Sequence, residues 1–374
     1  MVSLHPVVIH GCSVWDRDTL PIDEFQERLR AVRRTMAAQG LRSLLIYGDT
    51  SNYGLVCYLT NFIPMLGWAL ALVPREGPVR LIVAVGGSRD LPFARSLTWV
   101  EDVRFASDLS VELSEWVASS AEAEGSIGIC GSRWMSKGVH QTVQGACSPF
   151  PGLREADALI TEQMATKRPR ELAAIRKGCD ILTQAKQAMV QVKAGRGGVV
   201  GAVIEAERVA RSMKARDVRT LFSLTNGRTL QPFETATAAA TDSQVVQISV
   251  NCLGYWAEGL VTITDPPSPA FRKAAEVLKS LIDAVRPGMR VADLEQLVDE
   301  LLLPYSRHEV TSRSLCQIVG LFQTETEQDS GAALQEGRVY SLRVGVSSPE
   351  AGHALLSAMV AFHGGEKEIL WSAM

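Results

Sequence analysis

Lys167-Arg168-Pro169-Arg170-Glu171-Leu172-Ala173-Ala174-Ile175-Arg176-Lys177 decides how this chain is divided. A knot of charge around a proline interrupts the pattern after Asp157-Ala158-Leu159-Ile160, and a long helix is expected from Glu171 to about Val192. The knot therefore reads as a hinge, with domains at 1–162 and 163–374. Before it, helix and strand alternate. Phe25, Leu29, Val32 and Met36 recur at helical spacing within Ile22–Gln39. Short apolar runs at 44–47, 69–73, 79–85 and 126–130 read as strands, so this half is expected to be an α/β layer domain. Beyond the hinge, helices are expected near 198–215, 268–285 and 291–305. Strands are expected near 219–225, 244–250, 259–264, 315–319, 338–343 and 355–362. Mostly antiparallel strands grouped with helices make this half α+β.

The 374 residues suit two domains, and 46% hydrophobic against 21% charged residues is enough apolar material for a packed core. Lys and Arg number 38 against 41 Asp and Glu. That balance lacks the basic excess a nucleic acid or an anionic membrane would call for. Seven cysteines are scattered with no C-x-x-C pair, which fits a reduced, cytoplasmic setting better than a disulfide framework. Met1 to Arg17 has no basic stretch followed by an apolar core, so no signal peptide is expected. No charge falls between Asp49 and Arg75, a length that would span a bilayer. Asn52, Gly54, Thr60, Asn61, Pro64 and Gly67 punctuate that stretch as strand, turn and helix, so folding within the domain is expected.

The order of several short motifs resembles the creatinase / aminopeptidase P / prolidase superfamily, whose second domain has the pita-bread fold. The hinge matches that family's joint. Phe25-x-x-Arg28-Leu29 and Tyr58-Leu59-Thr60-Asn61-Phe62 resemble its first domain. Thr225-Asn226-Gly227, Gly254-Tyr255, Val319-Gly320-Leu321, Thr324-Glu325 and Gly337-Arg338-Val339-Tyr340-Ser341-Leu342 follow in its order. The resemblance implies an α/β N-terminal domain, a pita-bread C-terminal domain and a homodimer.

Metal-dependent members of that family hold two divalent ions with two aspartates, a histidine and two glutamates, since hard cations want anionic oxygen and imidazole. Laying Gly254-Tyr255 on the family's pattern puts those aspartates on Gln247 and Glu258, the histidine on Gln317 and one glutamate on Arg343. The last glutamate falls near Leu356 or Ser357. Two accessory histidines become Phe233 and Thr324, the latter followed by Glu325. Only Glu258 keeps a ligand's charge, and a guanidinium, which cannot deprotonate, stands among the remaining positions. No metal and no cofactor is therefore expected.

Arg343 reads either as the cation that holds a substrate carboxylate or oxyanion or as a structural partner of Glu258 or Glu325. Glu258 and Glu325 are candidate proton-transfer groups. Gln247, Gln317, Phe233, Trp256 and His308 are candidate substrate contacts, with core packing, or for His308 a surface position, as the plainer alternatives. Cys252 and Cys316 flank replaced positions and read as nucleophiles or as small buried hydrophobes. The expected function is a metal-independent hydrolase or lyase acting on a small carboxylate-bearing, amino-acid-derived or amide compound. The alternative is a catalytically inactive peptide-binding or partner subunit of the same fold.

Overall fold

A computed structural model describes residues 14–119, 125–148, 152–193, 198–223, 230–231, 243–312, 315–323, 326–327 and 331–374. The chain forms two compact units, Met1–Ala165 and Thr166–Met374. No described helix is long and apolar enough to cross a membrane.

Helix α1 (Ile22–Ala38) opens the first unit and is followed by β1 (Leu41–Asp49), α2 (Gly54–Thr60), β2 (Trp68–Pro74), β3 (Arg80–Val83), α3 (Leu91–Ser96), β4 (Asp102–Phe105) and α4 (Leu109–Ser119). Strand β5 (Ser126–Cys130), α5 (Lys137–Cys147), β6 (Leu153–Glu155) and α6 (Asp157–Ala165) complete it. The sheet order is β4-β3-β2-β1-β5-β6. The β2 strand pairs antiparallel with β1 and β3, and the other pairs are parallel. Central β1 is buried along nearly its whole length, as a strand covered on both faces must be. The α1 stripe of Phe25, Leu29, Val32 and Met36 is buried, as its spacing predicts. Among them lies Arg28, 1% exposed. It donates to Glu24 Oε1 and to the Tyr58 carbonyl at 2.9 Å each, and its guanidinium stacks 4.6 Å from the Tyr58 ring centre. The Phe25–Leu29 and Tyr58–Phe62 motifs thus meet around one buried cation.

In the second unit, α7 (Pro169–Lys193) and α8 (Gly198–Ser212) precede a three-stranded antiparallel sheet. Its strands are β7 (Asp217–Phe222), β8 (Ser243–Cys252) and β9 (Tyr255–Thr264). Helices α9 (Pro269–Ala284) and α10 (Val291–Leu302) follow, then the short β10 (Ser306–Arg307) and α11 (Glu309–Ser312). A second antiparallel sheet has order β12-β11-β13-β14-β15, with β10 on β13. These strands are β11 (Cys316–Ile318), β12 (Thr326–Glu327), β13 (Val339–Ser348), β14 (Gly352–His363) and β15 (Glu366–Ser372). Helices pack on the outer face of each sheet, α7 and α8 on one and α9 on the other, leaving the inner faces toward each other.

The hinge motif is held from inside this unit. Glu171 accepts from the Arg168 amide at 3.1 Å through one oxygen and from the Tyr255 hydroxyl at 3.0 Å through the other. Tyr255 follows a tight β8–β9 turn at Leu253 and Gly254, both at positive φ, as a two-residue hairpin with right-handed twist requires. Asn251 locks that turn by bonding Gly254 through both its amide oxygen and nitrogen.

Five strands were not expected from the sequence: β4 (Asp102–Phe105), β6 (Leu153–Glu155), β10 (Ser306–Arg307), β12 (Thr326–Glu327) and β15 (Glu366–Ser372). The first four are too short, at two to four residues, for a periodic signal, and β15 opens on Glu366-Lys367-Glu368 with its apolar residues bunched rather than alternating.

Candidate functional site

Strand register decides which side chains meet. In the first sheet Arg219, Ser249 and Glu258 are cross-strand neighbours, as are Leu221, Gln247 and Leu260. Partners opposite one another share a face, so Gln247, Ser249, Trp256 and Glu258 project the same way. In the second sheet Gln317 pairs with Ser341, Ser341 with Met359 and Arg343 with Ser357. The same rule puts Gln317, Ser341, Arg343 and Ser357 on one face. The two faces are joined by direct bonds. Arg343 Nε and Nη2 both donate to Glu258 Oε1, at 3.1 and 2.5 Å.

The β9 edge makes the joint. Amides of Trp256, Glu258 and Leu260 point away from β8 and are each accepted, by the Gly320 carbonyl at 2.8 Å, Met359 Sδ at 3.3 Å and Ser357 Oγ at 2.8 Å. The Thr262 hydroxyl continues the seam with both the amide and the carbonyl of Leu355. Of the two readings for the last family position, Ser357 lies on the inner face, while Leu356 is one residue out of phase and points outward.

At the centre, the Glu258 side chain is 3% exposed and that of Arg343 13%. Glu258 Oε2 is buried with no hydrogen-bond partner among the described residues, and so is Ser341 Oγ. Arg343 Nη1 carries no bond to a described residue. The pair is thus made through one carboxylate oxygen, with an acceptor on one side and a donor on the other unused. Trp256 is buried on the same face, and the Arg219 guanidinium lies 4.6 Å over its ring. Gln323 ties this wall together. It donates to Ser249 Oγ at 3.0 Å and accepts from Arg219 Nη1 at 3.1 Å, and its carbonyl accepts from Gln317 Nε2 at 3.4 Å.

Of the residues singled out from the sequence, Gln247, Trp256, Glu258, Gln317 and Arg343 converge. Phe233 and Glu325, with Thr324 and Thr225-Asn226-Gly227, lie outside the described residues. His308 is 1% exposed, so it is not the surface histidine of the plainer reading. It sits over Gly345, the next inner-face residue along β13 from Arg343, where a Cβ would come within 2.6 Å of the His308 Cβ. Its Nδ1 accepts from the Val310 amide at 3.1 Å, and its ring meets His353 edge-on at 5.5 Å. Cys316 points to the outer face. Burial pushes its thiol up to about 12, against a smaller downward pull from Arg343, so it stays protonated and is not a ready nucleophile. Ser249, Ser341 and Gln323 are additions that only strand pairing reveals.

Counted as donors, Gln247, Glu258, Gln317, Arg343 and Ser357 offer one carboxylate, two amides, a hydroxyl and a guanidinium. Among the described residues no group of three or more His, Cys, Asp or Glu gathers as a metal ion would need.

The fold is shared with solved structures of peptidases. The X-Pro aminopeptidase of Thermotoga maritima superposes with TM-score 0.76 at 16% identity over 92% of this chain and 97% of that one. The prolidase of Pyrococcus horikoshii OT3 gives 0.71 at 16%, and the Xaa-Pro dipeptidase of Bacillus anthracis 0.71 at 15%, each over the same shares. The fold is therefore the pita-bread fold of these prolidase and X-Pro aminopeptidase structures, preceded by an α/β domain. No family model and no curated protein matches the chain.

Proposed function

We propose that the second unit acts on a small carboxylate-bearing compound, amino-acid-derived or amide, by a hydrolysis or elimination that needs no metal. The observation that carries this reading is the Arg343–Glu258 pair at the centre of the inner faces. The donor set does not fit two divalent ions. Such a pair wants several anionic oxygens, whereas Arg343 already neutralises the one carboxylate at these positions.

The pair's geometry supports a substrate role for both partners. Arg343 Nη1 is unused, so an incoming carboxylate can take the guanidinium as a two-pronged acceptor. Glu258 Oε1 is then released beside the already unpartnered Oε2. In a hydrolysis, Glu258 takes a proton from the attacking water as its oxygen bonds to the acyl carbon, and returns it to the departing nitrogen. The fold neighbours are called prolidases and Xaa-Pro dipeptidases, which makes dipeptide-like compounds the first substrates to try. The same reading takes the chain to be a cytoplasmic homodimer, its subunit number open to light scattering.

One observation favours a second reading, a catalytically inactive binding module or partner subunit. Glu258 is 2% exposed and held by Arg343 as a closed ion pair.

The test is turnover of Xaa-Pro dipeptides and N-acyl amino acids by chelator-treated protein, followed by mass spectrometry. The expected result is product formation in chelator, reduced about 100-fold or more in Glu258→Gln, with Arg343→Lys raising KM more than it lowers kcat. Binding without turnover would select the second reading. Activity that appears only on adding Mn, Co or Zn would overturn the metal-free reading.

A further inference from the structure

We propose that the first unit carries its own binding site for a small planar aromatic anion, in a cavity of about 720 Å³. The size falls within the roughly 300–1,000 Å³ of small-molecule sites. Its walls come from the segment that leads into and opens α1, Trp15 to Ile22, and from the end of α3 and the residues that follow it, 95–101.

Two indole rings define its chemistry. Trp15 donates its ring N–H to the Leu20 carbonyl at 2.6 Å, and Trp99 donates its own to the Leu59 carbonyl at 2.7 Å. Both rings are thereby fixed, and neither has a donor left over. What they offer a ligand is aromatic surface, since each remains partly exposed. The base beneath them is rigid: buried Thr98 donates to the Thr60 carbonyl at 2.5 Å and accepts from the Val100 amide at 3.2 Å.

Charge decides which aromatic compound fits. Arg17 and Arg95 are exposed at the lining, and neither is in an ion pair with a described residue; Arg17 instead lies 4.8 Å over the Trp15 ring. Against two guanidiniums stands the single carboxylate of Glu101. A guanidinium stacks on aromatic faces and grips carboxylate or phosphate with paired donors. A flat ring would lie against the indoles, with its anionic group held between Arg17 and Arg95. Aromatic carboxylates and nucleotides share this chemistry.

Isothermal titration calorimetry on the whole chain tests this, with indole-3-acetate and AMP as separate probes and benzylamine as a cationic aromatic control. Saturable binding of at least one anion is expected, with benzylamine inert; whichever anion binds more tightly identifies the anionic group. Binding should weaken at least tenfold in the Arg17→Gln/Arg95→Gln double variant. It should tighten in Glu101→Gln, which removes the opposing charge. All of these residues are exposed, so circular dichroism should be unchanged. Absence of binding by either anion at millimolar concentration, equal binding of benzylamine, or unaltered affinity in the double variant would overturn the proposal.

Discussion

Replacing Glu258 with leucine strips Arg343 of its counter-ion inside the second unit. Two charged hydrogen bonds to one oxygen disappear, and the guanidinium stays in a setting where its side chain is only 13% exposed. Breaking a buried pair by removing one partner costs about 3–5 kcal/mol. Because Arg343 retains some contact with solvent, the lower end applies, ~3 kcal/mol, or a drop in Tm of about 6–12 °C for a unit of this size. Arg343→Met should cost a similar amount, since it leaves the still more buried carboxylate uncompensated. The double variant Glu258→Leu/Arg343→Met removes both charges and puts apolar groups in their place. It should return to within about 1 kcal/mol of the parent or exceed it. Urea denaturation of the four proteins closes the cycle, and a coupling energy above ~3 kcal/mol is expected. If Glu258→Leu alone lost less than about 1 kcal/mol, the pair would not be the buried, mutually dependent centre argued for, and the case for its role at the site would fall with it.

In the first unit, Arg28→Met removes the bonds to Glu24 and to the Tyr58 carbonyl, and a loss of about 2–4 kcal/mol is expected; equal denaturation midpoints would contradict this. The Cys316 thiol, raised to about 12 by burial, should resist iodoacetamide at pH 8 until the protein unfolds, and peptide mapping after brief native labelling checks it. Glu368 is held below the ordinary carboxylate range by hydrogen bonds from Arg176. A depressed carboxyl adds stability above its unfolded pKa and loses it as pH falls through the folded one. Both side chains are more than a third exposed, so the contribution is below about 1 kcal/mol. The stability gap between the parent and Glu368→Gln should therefore shrink on acidification below about pH 4; a gap that widened would reverse the assigned sign.

Much of this architecture can be read from local pattern. The α1 stripe and the long helix α7 that follows the charged Lys167–Glu171 knot are short-range signals, each made by residues within a turn or two of one another. Strand β9 shows the limit. It starts at Tyr255, earlier than the apolar run near 259 suggests, because a strand covered on both faces has no alternation to announce it. The site divides the same way. The family resemblance is what picks out Gln247, Glu258, Gln317 and Arg343 along the chain. Glu258 is one of the two partners the sequence offers Arg343, but that Gln323 reaches Ser249 follows only from which strands become neighbours. His308 and His353 meet across the β10–β13–β14 register, a pairing no window of sequence contains.

Strand β9 is the outermost member of its sheet, and nine of its ten residues are buried. A strand so apolar, with a free row of amides, is a template for intermolecular pairing. In the native protein that row is occupied by Gly320, Met359 and Ser357, two of which belong to β14. The protection is therefore conditional: it exists only once the β13–β14 hairpin has docked. During refolding, every molecule with β9 formed but the hairpin undocked exposes a sticky edge. Recovery of native protein should thus be a race between a first-order docking step and a second-order association. Yield would fall with concentration, and Ser357→Ala, which empties the Leu260 end of that row, would tip the race toward aggregates.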